Sequence, residues 1–189
     1  MWTRSGRSVA GEVFQNTNGY DIIFTDVTGA TQLDHEIESY NPATGRVVAW
    51  VRIPTLSSTA DSAIYMWYGN SSVTTSQSNP AGVWKGYQNV YHLANVAGPS
   101  TPDSSGNGNG LIRNVAATSG QLGGAGQFNG TSSYLQIPAR PNGGNFGSFE
   151  VWLKTTSTGI VVGDTDGTLP NGTPATDGWT ALLYLETGN

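Results

Sequence analysis

One stretch of the sequence has residue types and spacing that could do chemistry, Asp34-His35-Glu36-Ile37-Glu38. On an extended strand, residues i, i+2 and i+4 share a face, so Asp34, Glu36 and Glu38 would align about 6.8 Å apart per step. Retaining glycosidases hold an acid and a nucleophile, both carboxyl groups, roughly 5–5.5 Å apart, and same-face strand positions can supply that. Glu36 and Glu38 are therefore the candidate catalytic pair. The alternative is that three acids at a strand start simply face water, since a motif this short arises easily. His35 falls on the Ile37 face, which suits a packed, hydrogen-bonded imidazole better than a general base. His92, in Val90-Tyr91-His92-Leu93, reads the same way.

Two other groups of residues could bind. Asp103-Ser104-Ser105-Gly106-Asn107 offers a carboxylate, an amide oxygen and turn carbonyls, hard oxygen ligands that suit calcium. Asp103 and Asn107 are the candidate metal ligands, although the stretch does not match the EF-hand pattern and reads equally as a bare loop. Asp164, Asp166 and Asp177 either complete such a site or stand in exposed turns. Trp50, Trp67, Trp84, Trp152 and Trp179 could stack on sugar rings, but Trp67 and Trp152 lie within strand patterns whose inward faces need aromatics. Tyr68, Tyr134 and Trp179, next to turns, are the better candidates for ligand binding. Neither a Gly-x-Ser-x-Gly elbow nor a phosphate-cradling loop is present.

Composition narrows the partners. Charge is sparse, 13 acidic against 8 basic residues for a net −5, and no Lys/Arg cluster exists to hold a phosphate backbone. A nucleic-acid partner is not expected. Polarity comes from Ser, Thr, Asn and Gly, a surface suited to neutral, hydroxyl-rich ligands. Cysteine is absent, which excludes disulfides and thiolate metal sites without excluding secretion. The longest apolar run, Val47-Val48-Ala49-Trp50-Val51, is far short of a membrane span. The opening residues show no apolar signal region, so the expectation is a removed signal or an internal segment.

The elements that must position these residues are strands. Short β-rich runs recur between turn clusters, at Tyr20–Thr25, Glu36–Tyr40, Arg46–Ile53, Ala63–Tyr68, Asn89–Leu93, Gly110–Asn114, Gly126–Phe128, Tyr134–Ile137, Ser148–Lys154, Gly159–Val162 and Thr180–Leu185. Helix is limited to one short turn near Pro80–Trp84. The spacing predicts an all-β, antiparallel sandwich. The Ser/Thr/Gln/Asn stretch Ser71–Pro80 marks a boundary that divides the chain into modules 1–86 and 87–189. Pro99–Gly110 is too rich in Gly and Asn for a strand and reads as a loop.

Four ordered motifs, Gly19-Tyr20-Asp21-Ile22-Ile23-Phe24-Thr25, Leu33–Asn41, Val48–Leu56 and Ile64–Asn70, resemble an uncharacterised bacterial and archaeal surface-protein domain that often precedes a laminin-G-like lectin domain. Val90–Leu93, Asp103–Asn107, Gly126–Leu135 and Phe149–Lys154 are similar to the opening strands of that laminin-G-like, concanavalin-A-like jelly roll, with both modules apparently incomplete. The first resemblance implies no catalytic role for the acidic stretch, which also looks like the alternating acidic strand of jelly-roll glucanases. The second implies frequent carbohydrate or protein binding, often with calcium. Members commonly show Phe-Asp-Gly where this chain has Phe128-Asn129-Gly130, one carboxylate fewer. The leading expectation is a non-catalytic carbohydrate-recognition or adhesion segment, extracellular or at the cell surface, bound to a glycan or surface polymer. The alternatives are a glycoside hydrolase using Glu36 and Glu38, and a structural subunit of a virion or surface filament. A sandwich lacking strands must recover its contacts by packing between the two halves or as a homo-oligomer.

Overall fold

β-branched and aromatic runs separated by Gly and Asn turns form small antiparallel sheets, as their alternation implies. A computed structural model describes residues 3–4, 16–138, 148–165 and 179–185. In chain order the elements are β1 (Thr3–Arg4), β2 (Ile23–Thr25), β3 (His35–Asn41), β4 (Arg46–Val51), β5 (Tyr65–Tyr68), α1 (Pro80–Val83), β6 (Ser100–Thr101), β7 (Gly110–Arg113), β8 (Ala116–Ser119), β9 (Gly124–Gln127), β10 (Tyr134–Gln136), β11 (Gly159–Thr165) and β12 (Trp179–Leu185). Two three-stranded sheets, ordered β1-β5-β2 and β10-β7-β6, accompany the hairpins β3–β4, β8–β9 and β11–β12. Every pairing is antiparallel, and no closed barrel forms among the described residues. The fold is all-β.

The core of the first half lies between the β1-β5-β2 sheet and the β3–β4 hairpin. Ile22, Phe24, Leu33 and Tyr68 are buried there, and Ile37, Tyr40, Val47, Ala49, Val51, Ile64 and Met66 pack against them. Alternation puts Val47, Ala49 and Val51 of β4 inward and leaves Val48 and Trp50 on the opposite face. The turn joining the hairpin is set by Asn41, whose side-chain oxygen accepts from the N–H groups of Ala43 and Thr44 at 3.0 and 3.2 Å. Gly45 follows at φ 69°, in the left-handed region that glycine enters without strain.

β3 does not run straight. Ile37 faces Ala49, but Ser39 faces Val48, so the register slips by one residue and Glu38 is the extra one. A bulge of this kind resets the alternation. Simple period-2 order would put Tyr40 on the face of Glu36 and Glu38; the bulge returns it to the core.

The one helical turn is docked on the start of this strand. Pro80 occupies its first position, where a missing N–H costs nothing, and the side chain of Asn79 caps the Gly82 N–H at 3.3 Å. Asn79 also donates its backbone N–H to His35 O (2.8 Å) and its amide to Asp34 Oδ1 (2.7 Å). Gly82 must be glycine, since a Cβ would come within 2.6 Å of that carboxylate. The helix therefore delivers Trp84 over the outer face of β3.

Four expectations need correction. Asn89–Leu93 is not a strand: the Val90 N–H goes to the Asp103 carboxylate at 2.8 Å, and Leu93 turns at φ 58°. Within Pro99–Gly110, Ser100 and Thr101 do form a short strand, paired with Leu111 and Gly110. β8 was not expected, because Ala-Ala-Thr-Ser has little strand propensity; it is held by pairing with β9. Ser148–Lys154 is not a strand, and Trp152, read as inward-facing, is 69% exposed, because no strand among the described residues pairs with that segment.

Candidate functional site

The outer face of the β3–β4 hairpin presents Asp34, Glu36, Glu38 and Trp50 together. Glu36 lies directly across the ladder from Trp50, and the bulge keeps Glu38 on the same face. Chain from beyond α1 then covers this face with Trp84, His92 and Ser104.

His92 sits between the two glutamates. Its Nε2 is 3.2 Å from Glu36 Oε2 and its Nδ1 is 2.7 Å from Glu38 Oε2. A neutral imidazole has one donor nitrogen, so one of these contacts would oppose a lone pair to a carboxylate. The imidazolium satisfies both. Burial alone would lower the His92 pKa, but hydrogen bonds to Glu36 and Glu38 and their negative charge raise it from 6.5 to about 9. Trp84 Nε1 donates to Glu36 Oε2 at 2.6 Å, and Ser104 Oγ to Glu36 Oε1 at 2.6 Å. Trp50 Nε1 donates to Glu38 Oε2 at 2.9 Å. Desolvation would raise both carboxyl groups, yet the His92, Trp and Ser donors hold each below the ordinary 4.5. The indoles also pack on the cation: Trp50 stacks on His92 with ring centres 6.0 Å apart, and Trp84 lies 5.7 Å away.

Both carboxyl groups are committed to partners within the cluster. Glycoside hydrolysis needs a carboxyl group that keeps its proton near neutrality and can give it to a leaving group. Glu36 and Glu38 are both pushed the other way, and the Glu38 side chain is only 5% exposed. What the cluster does is join residues distant in sequence through one buried charge network. Asp34, the third acid of the stretch, is spent on Asn79 and on Arg52 Nη1 at 3.9 Å.

The resemblance to laminin-G-like domains implies calcium, and Asp103 with Asn107 is where it would sit. The donors there do not fit a cation. Asp103 accepts from the N–H groups of Val90, Ser105, Asn107 and Gly108, from the Asn89 amide and from Ser105 Oγ, all between 2.8 and 3.1 Å. Asn107 turns its NH₂ toward the carbonyls of Tyr87 and Gln88 at 3.1 and 3.0 Å. N–H dipoles converge where a metal would need oxygen lone pairs. Asp103 instead ties the loop to the chain that carries His92.

The remaining candidates scatter. Tyr68, expected to be exposed beside its turn, is 9% exposed in the core, because the central strand of a three-stranded sheet is covered on both edges. Tyr134 is half-buried on β10 opposite Arg113. Trp179 pairs through its backbone with Thr165; its side chain, and residues Asp166 and Asp177, lie outside the described residues. His35 is packed as expected, edge-on to Phe24, with Nδ1 3.3 Å from Leu33 O. Sequence reasoning missed the joint role of His92, Trp50, Trp84 and Ser104. The available signal was a scarcity: two buried acids on one face need a cation, and the chain has few.

A DUF2341 domain, a domain of unknown function, covers residues 18–94. It contains the four motifs of the first resemblance and runs past the expected boundary at residue 86. It therefore includes α1, Trp84 and His92, so all of the cluster but Ser104 falls within the DUF2341 segment. No curated protein and no solved structure matches the chain.

Two outcomes are expected. Because the folded pKa of His92 lies above its ordinary value, its stabilisation is complete below about pH 6.5 and is lost as pH rises through about 9. Glu36 and Glu38 work oppositely: their contribution holds above about 4.5 and falls away on acidification. Thermal melts across this range should show the wild type losing stability from pH 7 to 10, and His92→Ala losing about 3–5 kcal/mol at neutral pH with a flat alkaline limb. Parallel pH curves for the two proteins would refute the cluster's ionic nature. For the loop, Asp103→Ala should lower the Tm, whereas the wild-type Tm should be equal in calcium and in chelator. A rise with calcium would restore the metal.

Proposed function

We propose that this chain is a non-catalytic recognition segment for a neutral, hydroxyl-rich polymer such as a glycan, acting outside the cell or on its surface. The observation that carries the non-catalytic part is the commitment of Glu36 and Glu38 to His92, which removes the acid pair from chemistry. The surface supports the choice of ligand. It is poor in charge and rich in Ser, Thr, Asn and Gly, so it offers hydrogen bonds in both directions and few fixed charges for an ionic partner.

A second reading, a structural subunit whose strand edges pair between copies, has one specific observation in its favour. Phe149, Val151, Trp152 and Leu153 are all exposed along an extended, unpaired segment. Contiguous apolar exposure of this kind commonly marks an interaction surface. Light scattering decides this reading: a monomer at micromolar concentration rules out pairing through that segment.

Recognition without turnover gives a paired expectation on a glycan array and in a reducing-sugar assay. The wild type should bind at least one neutral polysaccharide and release no reducing ends from it. Release that disappears in Glu36→Gln and in Glu38→Gln would instead establish hydrolysis.

A further inference from the structure

A cleft of about 330 Å³ opens on the DUF2341 domain, walled by the turn before β2, the bulged part of β3 and the segment leading to α1. We infer that this cleft is the saccharide-binding site, taking one small neutral ring through Tyr20 and Tyr40 and through the polar groups of Thr17, Asn18 and Gln77. The inference rests on the recognition reading above and gives it a place.

The lining is what a neutral polyol requires. Small-molecule sites combine apolar or aromatic wall with a few placed hydrogen-bonding groups, and this volume is at the small end of their range. Tyr20 and Tyr40 supply aromatic wall with a polar tip. Among the described residues, the Thr17 hydroxyl and the Asn18 side chain make no hydrogen bond, and Gln77 spends only one amide N–H, on Thr75 O at 3.0 Å. Glu38 lines the cleft as well. Its carboxylate is turned away to the outer face, with Oε2 taken by His92 and Trp50 and Oε1 against Gly123, so Glu38 contributes wall and not an acceptor.

The walls are held in place before any ligand arrives. The 16–20 turn is closed by Gly19 N–H to Asn16 O at 3.0 Å and tied to the buried Asp21, whose Oδ1 accepts from Asn16 N–H and whose Oδ2 accepts from Gly69 N–H. Asn16 reaches across to Val73 O at 3.4 Å, linking the first wall to the chain that forms the third. Gly19, at φ 71°, lies on the Tyr40 ring so closely that a Cβ would sit 3.0 Å from it. Rigid walls lower the ordering cost of binding.

Affinity electrophoresis of the full chain in gels containing β-glucan, xylan, mannan or galactan tests the site, with Tyr20→Ala, Gln77→Ala, Asn18→Ala and, as control, the exposed Leu56→Ala. Matched melting curves confirm that each variant folds. At least one polysaccharide should retard the wild type and the control equally, with affinity reduced at least about tenfold by Tyr20→Ala and measurably by Gln77→Ala and Asn18→Ala. Retardation unchanged in all three cleft variants overturns the site and leaves the recognition reading standing. A wild type that no polysaccharide retards overturns both.

Discussion

The structure turns on a single imidazolium. Strand alternation and the bulge at Glu38 force two carboxylates onto one face of the β3–β4 hairpin, and that face is covered by later chain. Two anions drawn out of water on neighbouring residues repel one another, so the covered state requires a cation between them. His92 supplies it, with one nitrogen for each glutamate. A lysine would offer a flexible point charge, whereas the planar ring also stacks on Trp50 and lies against Trp84, filling the space between sheet and cover.

Buried ion pairs are poor sources of net stability, because desolvation offsets most of the Coulomb gain. Their better-attested use is to fix one arrangement among several. Here the arrangement is the docking of the segment Trp84–Ser104 on the hairpin. An apolar cover could slide; one that must bring two imidazole nitrogens, an indole N–H and a serine hydroxyl to two carboxylates cannot. Asp103 extends the constraint, since it grips Asn89 and Val90 just before His92 and fixes the neighbouring Ser104. The residues where composition suggests a linker thus lie beside a dense set of tertiary contacts, and the DUF2341 match extends over them to residue 94.

Much of the secondary structure is legible in the sequence, because local rules decide it. Asn41 and Gly45 specify the hairpin turn, Asn79 and Pro80 specify the helix start, and period-2 patterns locate β2 to β5. The site is only half legible. That Asp34, Glu36 and Glu38 share a face follows from alternation; that they end as partners of Asn79 and His92 depends on contacts made 45 to 56 residues away. Period-2 order cannot show the bulge, so the side of Tyr40 is misassigned by it. Nor does proximity to a turn show whether a tyrosine is exposed: Tyr68 sits beside Gly69 but on a central strand. Asp103 misleads in another way. An oxygen-rich loop looks alike in sequence whether its carboxylate receives a metal or its own backbone N–H groups, and only the positive φ of Gly106 and Gly108 turns those groups inward.

The bulge that protects the core also gives Glu38 two environments. One oxygen is fixed by His92 and Trp50, and the residue as a whole borders the cleft beside Tyr20 and Tyr40. A carboxylate free to rotate would lose entropy on meeting a ligand and would be drawn away by water. Held by Oε2 and packed through Oε1 against Gly123, the Glu38 carboxylate is fixed in one orientation. Its charge is also half-compensated by the imidazolium, which keeps it ionised without making it a counter-ion for a further cation. Catalysis and recognition make opposite demands on such a group: the first needs a proton that can leave, the second an acceptor that stays ionised and still. His92 lowers the proton affinity of Glu38 and fixes its position, and both effects suit a structural anion that holds the cover on the hairpin.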